Sequence, residues 1–172
     1  MRNTARQIQA IIAALEDAKY TNKDIYLTYI DFKNAFGSID HPRLLALMED
    51  LGYPLDAIAL IGNIYSEAST SFRGACFTTT PPIQISRGTI QGDTLSPYLF
   101  IIFLEPLLRW LEKNNLGYNF NTSPNTITTT TYVDDLAIIT DNIKHVQPQL
   151  NKLKQYSEWA HMDLGINKCT IT

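Results

Sequence analysis

Two runs of extended-type residues, Ile127 to Val133 and Leu136 to Thr140, are separated only by Asp134 and Asp135. Thr, Val, Ile and Tyr favour pleated backbone, and a two-residue gap between such runs predicts a tight hairpin with both aspartates in its turn. A third aspartate, Asp31, closes another such run, Ile25 to Ile30. Carboxylates at the ends of buried β elements cost free energy unless something positive meets them. If the strand bearing Asp31 lies beside the hairpin, the acidic groups converge on one patch. Hard divalent cations such as Mg²⁺ use that arrangement, with waters and substrate phosphates completing the shell. Two such ions could activate an attacking hydroxyl and stabilise a leaving pyrophosphate. Asp-Asp is also ordinary turn chemistry, and Asp31 could simply cap the segment after it. Taken alone, the three aspartates leave both readings open.

The rest of the chain supplies a frame for the hairpin. Ile8, Ile11, Ile12 and Leu15 mark one face of a helix over 4–18, and Pro42 fits the first turn of a helix running to Asp50, closed by Gly52. A second helix is predicted over 55–68. An extended, Thr-rich stretch over 70–79 is then turned by Pro81-Pro82 towards Ile83 to Ile85, which predicts a second hairpin. Gly88 and Gly92 mark a loop before the longest helix, 94–113, and Asn121 to Asn125 is a polar linker. After the aspartates come a helix over 146–161, with Pro148 near its start, and a short strand beginning at Leu164 to Ile166. This order gives an α+β fold, with helices packed on one face of a mostly antiparallel sheet.

With 172 residues, 45% of them hydrophobic, the chain can bury one core. No stretch approaches the ~18 consecutive apolar residues of a membrane span, so no membrane partner is expected. Cys76 and Cys169 lack metal-type spacing, which points to an intracellular, reducing compartment, nucleus or cytoplasm unresolved, and to buried or idle thiols. His41 reads as part of the helix start at Pro42, and His145 and His161 show no partner at ligand spacing. The formal net charge is −3, whereas chains that grip nucleic acid usually present excess positive charge. A stand-alone nucleic-acid binder is not what this composition suggests.

The residues around each aspartate carry a resemblance. Asp31-Phe32-Lys33-Asn34-Ala35-Phe36 closely resembles the first palm motif of reverse transcriptases. Arg87-Gly88-Thr89-Ile90-Gln91-Gly92-Asp93-Thr94-Leu95-Ser96-Pro97 resembles their central motif, and Tyr132-Val133-Asp134-Asp135 matches their aromatic-x-Asp-Asp signature. The three occur in the family's order and approximate spacing, and the resemblance covers essentially the whole chain. The central motif looks most like that of non-long-terminal-repeat retrotransposons.

The resemblance implies one reverse transcriptase palm domain over 1–172, incomplete at both ends. It implies RNA-directed DNA polymerase activity with two Mg²⁺ ions, for which Mn²⁺ can substitute. RNA template, DNA primer and deoxynucleoside triphosphates would be the partners, while the oligomeric state stays open. Asp31 and Asp134 would hold the metals, with Asp135 supporting them. Phe36 would stand under the sugar of the incoming nucleotide, its ring leaving no room for a ribose 2′-hydroxyl. Gln91 and Gly92 would line the nucleotide pocket, Gly92 by allowing close backbone approach. Arg87 could touch template or nucleotide, or be a surface arginine. Lys168 falls near the family's proton-donating lysine for pyrophosphate, although the register after Asn167 departs from the usual pattern.

Gly37 also departs, standing where the family commonly carries another Asp, which is expected to soften that loop. The family's basic, phosphate-gripping fingers would lie upstream and its thumb downstream, consistent with the acidic balance. The chain alone is therefore expected to fold but to polymerise poorly. A catalytically inert retroelement remnant and a palm-type nucleotidyl cyclase remain the alternatives; the cyclase would not need Gln91-Gly92.

Overall fold

The computed structural model describes residues 4–74, 79–90, 92–132 and 134–172. Its helices are α1 (Thr4–Thr21), α2 (His41–Asp50), α3 (Leu55–Glu67), α4 (Ser96–Glu112) and α5 (Ile143–Ala160). Its strands are β1 (Tyr26–Ile30), β2 (Ser69–Thr70), β3 (Ile83–Gln84), β4 (Tyr118–Asn119), β5 (Thr126–Ile127), β6 (Thr129–Tyr132), β7 (Asp135–Thr140) and β8 (Thr170–Ile171). Single 3-10 turns occupy Phe36–Ser38 and Ile166–Lys168. The fold is mixed α+β with antiparallel strand pairing, as expected. Chain contacts divide it into two units, one of Met1–Ala35 with Leu104–Thr172 and one of Phe36–Phe103.

The first unit is built on a four-stranded sheet in the order β6-β7-β1-β8. β1 runs antiparallel to β7 from Tyr26↔Thr140 to Ile30↔Leu136. Leu136 to Thr140 are buried without a break, so this inner strand is covered on both faces. α1 sets Ala14 and Ala18 on Leu27, Ile139 and Tyr118, with Ile11 and Phe120 packed at the edge. At the far end of α4, Gln149 Nε2 and Lys152 Nζ of α5 donate to Leu111 O (3.1 Å) and Trp110 O (2.9 Å). Those bonds satisfy carbonyls that a helix C-terminus leaves unpaired.

Three expectations for this unit need correction. The hairpin turn does not hold both aspartates: Tyr132 pairs with Asp135, which opens β7 and leaves Asp134 in the turn. The final strand is Thr170–Ile171; Leu164 forms only a single bridge to Phe32, and a 3-10 turn intervenes. α5 begins at Ile143 rather than Val146, because Asn142 caps it by accepting from Lys144 N (2.9 Å). Pro148 therefore lies in its second turn.

The sequence gives no warning of the anchor between α1 and the β4–β5 loop. Asp17 accepts from Tyr118 Oη (2.7 Å), Thr122 Oγ1 (2.6 Å), Asn121 N (3.1 Å) and Thr122 N (3.1 Å). The Thr122 hydroxyl, with the Tyr118 and backbone donors, holds the carboxyl well below its ordinary 3.8 against the opposing effect of burial. Burial and the bond to Asp17 push the Tyr118 phenol up to about 12.

In the second unit, α2 is capped by Asp40, which accepts from Arg43 N (3.1 Å), and Pro42 takes its first turn as expected. β2 and β3 form a hairpin, with Ser69↔Gln84 and Thr70↔Ile83 in register, but the bridge Arg73↔Thr79 sets its reversal before Thr79, so Pro81-Pro82 lie in its second arm and not, as expected, in its turn. Cys76 lies outside the described residues. Gly88 has φ +84, and a Cβ there would stand 2.7 Å from the Cα of Gly37. Two backbones thus meet directly, and a side chain on Gly88 would part them.

These contacts carry two consequences for stability. A carboxyl depressed in the fold contributes stability that is complete above its unfolded value and is lost as pH falls through the folded one. The gap in thermal midpoint between the native chain and Asp17→Asn should therefore narrow steadily below about pH 4; a gap constant with pH would contradict the anchor. Gly88→Ala should cost about 2–4 kcal/mol in urea unfolding, combining a left-handed backbone with a steric clash. Gly62→Ala is the control. It lies inside α3, where a Cβ meets only Leu45 Cδ1 at 3.5 Å, so it should be neutral or stabilise by about 0.5–1 kcal/mol.

Candidate functional site

β1 delivers Asp31 one residue past its last registered pair, Ile30↔Leu136. Continuing that antiparallel register sets Asp31 opposite Asp135, the first residue of β7. Both line a cavity of about 410 Å³ in the first unit, together with Tyr29, Tyr132, Lys168 and Ile8 of α1. Asp134 sits beside them in the exposed hairpin turn.

The segment after α5 fixes Asp31 from the other side. His161 takes a left-handed conformation (φ 53) and ends the helix, and the chain then runs back along the residues after β1. Lys33 N donates to Asp163 O (2.8 Å), and Gly165 N donates to Asp31 O (2.8 Å). A Cβ on Gly165 would overlap Asp31 Oδ2, so this glycine leaves room for the carboxylate. Nothing in the sequence flags that role, because Leu164-Gly165 reads as the start of a strand.

Lys168 lies at the end of the same segment, with Nζ 3.4 Å from Asp31 Oδ2 and 3.5 Å from Oδ1. The lysine side chain is 74% exposed and the aspartate 31%. Water screens such a pair, which is worth about 0–1 kcal/mol, so it can open when a stronger cation arrives. Asp31 and Lys168 also border a second cavity, of about 520 Å³, with Lys33 and Asn167.

Among the described residues, no three His, Cys, Asp or Glu side chains gather closely enough to hold a metal ion. The donors do suit one chemically. Asp31 and Asp135 offer hard carboxylate oxygens from neighbouring strands, and Mg²⁺ is typically held by one or two carboxylates plus waters and substrate phosphates.

The remaining candidates lie in the second unit. Phe36 is half-buried, its ring 5.2 Å from that of the fully buried Phe100. Gly92 has φ +87 with open space where a Cβ would stand, and the expectation for Gln91 falls outside the described residues. Arg87 Nη2 donates to Ser38 O (2.7 Å), which ties its guanidinium to the turn that carries Phe36. His41, read from sequence as a helix-start residue, also bonds Gly88 O through Nε2 (2.7 Å). No helix among the described residues is long and apolar enough to cross a membrane.

Known proteins resemble this chain over most or all of its length. The chain is 26% identical over 165 residues to the retrovirus-related Pol polyprotein from type-1 retrotransposable element R2 of Nasonia vitripennis, covering 96% of this chain and 16% of that protein. It is 30% identical over 139 residues to an R2 Pol polyprotein of Popillia japonica, covering 81% of this chain and 19% of that one. This chain thus spans under a fifth of the length of these relatives. Two solved telomerase structures from Candida tropicalis share the fold over 100% of this chain. One is an apo form truncated from the C-terminal domain (TM-score 0.73, 14% identity, 35% of that chain); the other is a complex with a fragment of telomeric RNA (TM-score 0.74, 13% identity, 30% of that chain). The family described as reverse transcriptase (RNA-dependent DNA polymerase) matches residues 1–172, and the chain belongs to it.

Proposed function

We propose that this chain forms the palm of an RNA-directed DNA polymerase, adding deoxynucleotides to a primer 3′-hydroxyl on an RNA template. The observation that supports it most is that Asp31, one residue past the last β1–β7 pair, and Asp135, which opens β7, line one cavity, with Asp134 in the adjoining turn. Asp31 and Asp134 are the proposed metal ligands, with Asp135 supporting them. Bound Mg²⁺ or Mn²⁺ would supply activation of the 3′-hydroxyl and neutralisation of charge on the leaving pyrophosphate. Lys168 stands beside Asp31 with a proton to give, and in this reading its ammonium serves the departing pyrophosphate.

Phe36 selects the sugar. Its ring rests on Phe100, so it is backed by buried structure and resists displacement by a 2′-hydroxyl. Gly92, with Gln91, lines the nucleotide pocket, and its φ of +87 is a conformation that favours glycine. A net charge of −3 opposes phosphate approach, so extension by the chain alone should be slow and non-processive.

The test is primer extension on an RNA template with Mg²⁺ or Mn²⁺. It is read for the chain alone and for a protein of the relatives' length that contains it. Asp31→Asn and Asp134→Asn should each lower extension by about 100-fold or more, the scale of losing a metal's charge stabilisation. Phe36→Val should raise ribonucleotide incorporation by about tenfold or more and leave deoxynucleotide addition largely intact. Extension indifferent to both aspartates would defeat the polymerase reading, and unchanged sugar discrimination would defeat the role of Phe36.

A further inference from the structure

In the second unit, the 3-10 turn bearing Phe36 and the segment 87–89 clasp each other through bonds from both sides. Gly88 N donates to Ile39 O (2.7 Å) and Thr89 N donates to Phe36 O (2.9 Å). Asp40 and Arg87 form an isolated antiparallel bridge. Two side chains add reciprocal bonds: Arg87 Nη2 reaches Ser38 O, and His41 Nε2 reaches Gly88 O, each at 2.7 Å. A carbonyl only accepts, so Nε2 of His41 carries a proton. The imidazole is held in place by the ring of Tyr65, 4.6 Å away and 3% exposed on α3.

Gly37 and Gly88 sit at the centre of this clasp. A Cβ on Gly88 would stand 2.7 Å from Gly37 Cα and 3.0 Å from Gly37 O, so a side chain on Gly88 has no room against the Gly37 backbone. Gly37, expected from the sequence to soften the loop, instead has its backbone packed against another, and its turn is bonded on both flanks. Side-chain hydrogen bonds spanning two loops are worth having where a particular geometry must be kept, since loops otherwise open readily.

We infer that His41 and Arg87 are positioning residues for Phe36: they lock the Phe36 turn to the 87–89 segment, so that the ring is presented in one pose against Phe100. This rests on the reading of Phe36 as the residue that faces the nucleotide sugar. The effect on sugar selection runs through the backbone. Thr89 N holds Phe36 O directly, and His41 holds the carbonyl of Gly88, the residue before Thr89. Neither His41 nor Arg87 needs to touch the nucleotide.

Two measurements on the same variants test the inference. The first is amide hydrogen exchange at Gly88 and Thr89. His41→Ala should speed exchange at both by about tenfold, whereas His41→Gln, whose Nε2 can also donate to Gly88 O, should restore it to within about threefold of the native chain. The second is the ratio of ribonucleotide to deoxynucleotide addition in primer extension. It should rise at least about threefold in His41→Ala and return in His41→Gln. Phe36→Val serves as the reference, altering the ratio while exchange at Gly88 and Thr89 stays native-like.

Unchanged exchange in His41→Ala, or a Gln variant no better than Ala, overturns the inference. Faster exchange with an unchanged sugar ratio also overturns it, since His41 would then merely brace the fold. If His41→Ala does not fold, Arg87→Met removes the Ser38 bond and is read in the same two ways. If the native protein extends no primer, the polymerase reading fails separately, and the exchange rates alone decide the clasp.

Discussion

The proposed metal site depends on the antiparallel register between β1 and β7. A slip of one residue would turn every side chain on one strand to the opposite face, burying what is now exposed. The register is held because both strands are inner strands of the sheet and β7 is buried from Leu136 to Thr140. Leu27 and Ile139 face the same helix, α1, and could not do so in any neighbouring register. Apolar packing thus fixes the backbone, and the backbone in turn fixes the carboxylates. Asp31 and Asp135 occupy the first positions beyond the buried pairs, where the sheet gives way to solvent.

The surroundings of Asp31 fit a carboxylate kept ready for a stronger cation. Its backbone is pinned by Gly165 and by the pairing of Lys33 with Asp163, which fixes where the side chain leaves the chain. Its partner, Lys168, is solvated and weakly held. A buried pairing would resist exchange with a metal; an exposed one does not. The contrast with Asp17 is instructive. That carboxylate has four donors within 3.1 Å and a strongly lowered pKa, and it serves only to tie α1 to the β4–β5 loop. This densely bonded carboxylate is structural, whereas the candidate ligands are left partly unbonded.

Much of this was legible in the sequence, for identifiable reasons. β-branched and aromatic runs locate β1, β6 and β7, and Pro42, Gly52 and the helical periodicities locate α1 to α3 to within a few residues. The three motifs lead to the family. The roles of four residues were not legible. Local propensity puts Asp135 in the turn because Asp is a poor strand former, yet its pairing with Tyr132 outweighs that preference. Gly165 and His41 act through contacts with residues 134 and 47 positions away (165 − 31 and 88 − 41), which no local pattern encodes. Asp17 sits on a helix that reads as amphipathic, and its partners, Tyr118 on β4 and Asn121 and Thr122 in the linker after it, lie a hundred residues downstream.

The central claim is that Asp31 and the β6–β7 turn share a divalent cation, and Mn²⁺ titration followed by NMR line broadening tests it most directly. The account predicts that substoichiometric Mn²⁺ broadens the amides of Asp31, Asp134 and Asp135 first, and that Asp31→Asn abolishes that preference while the fold persists. Broadening spread evenly over the acidic surface, or strongest at Asp17 and Asp141, would contradict it.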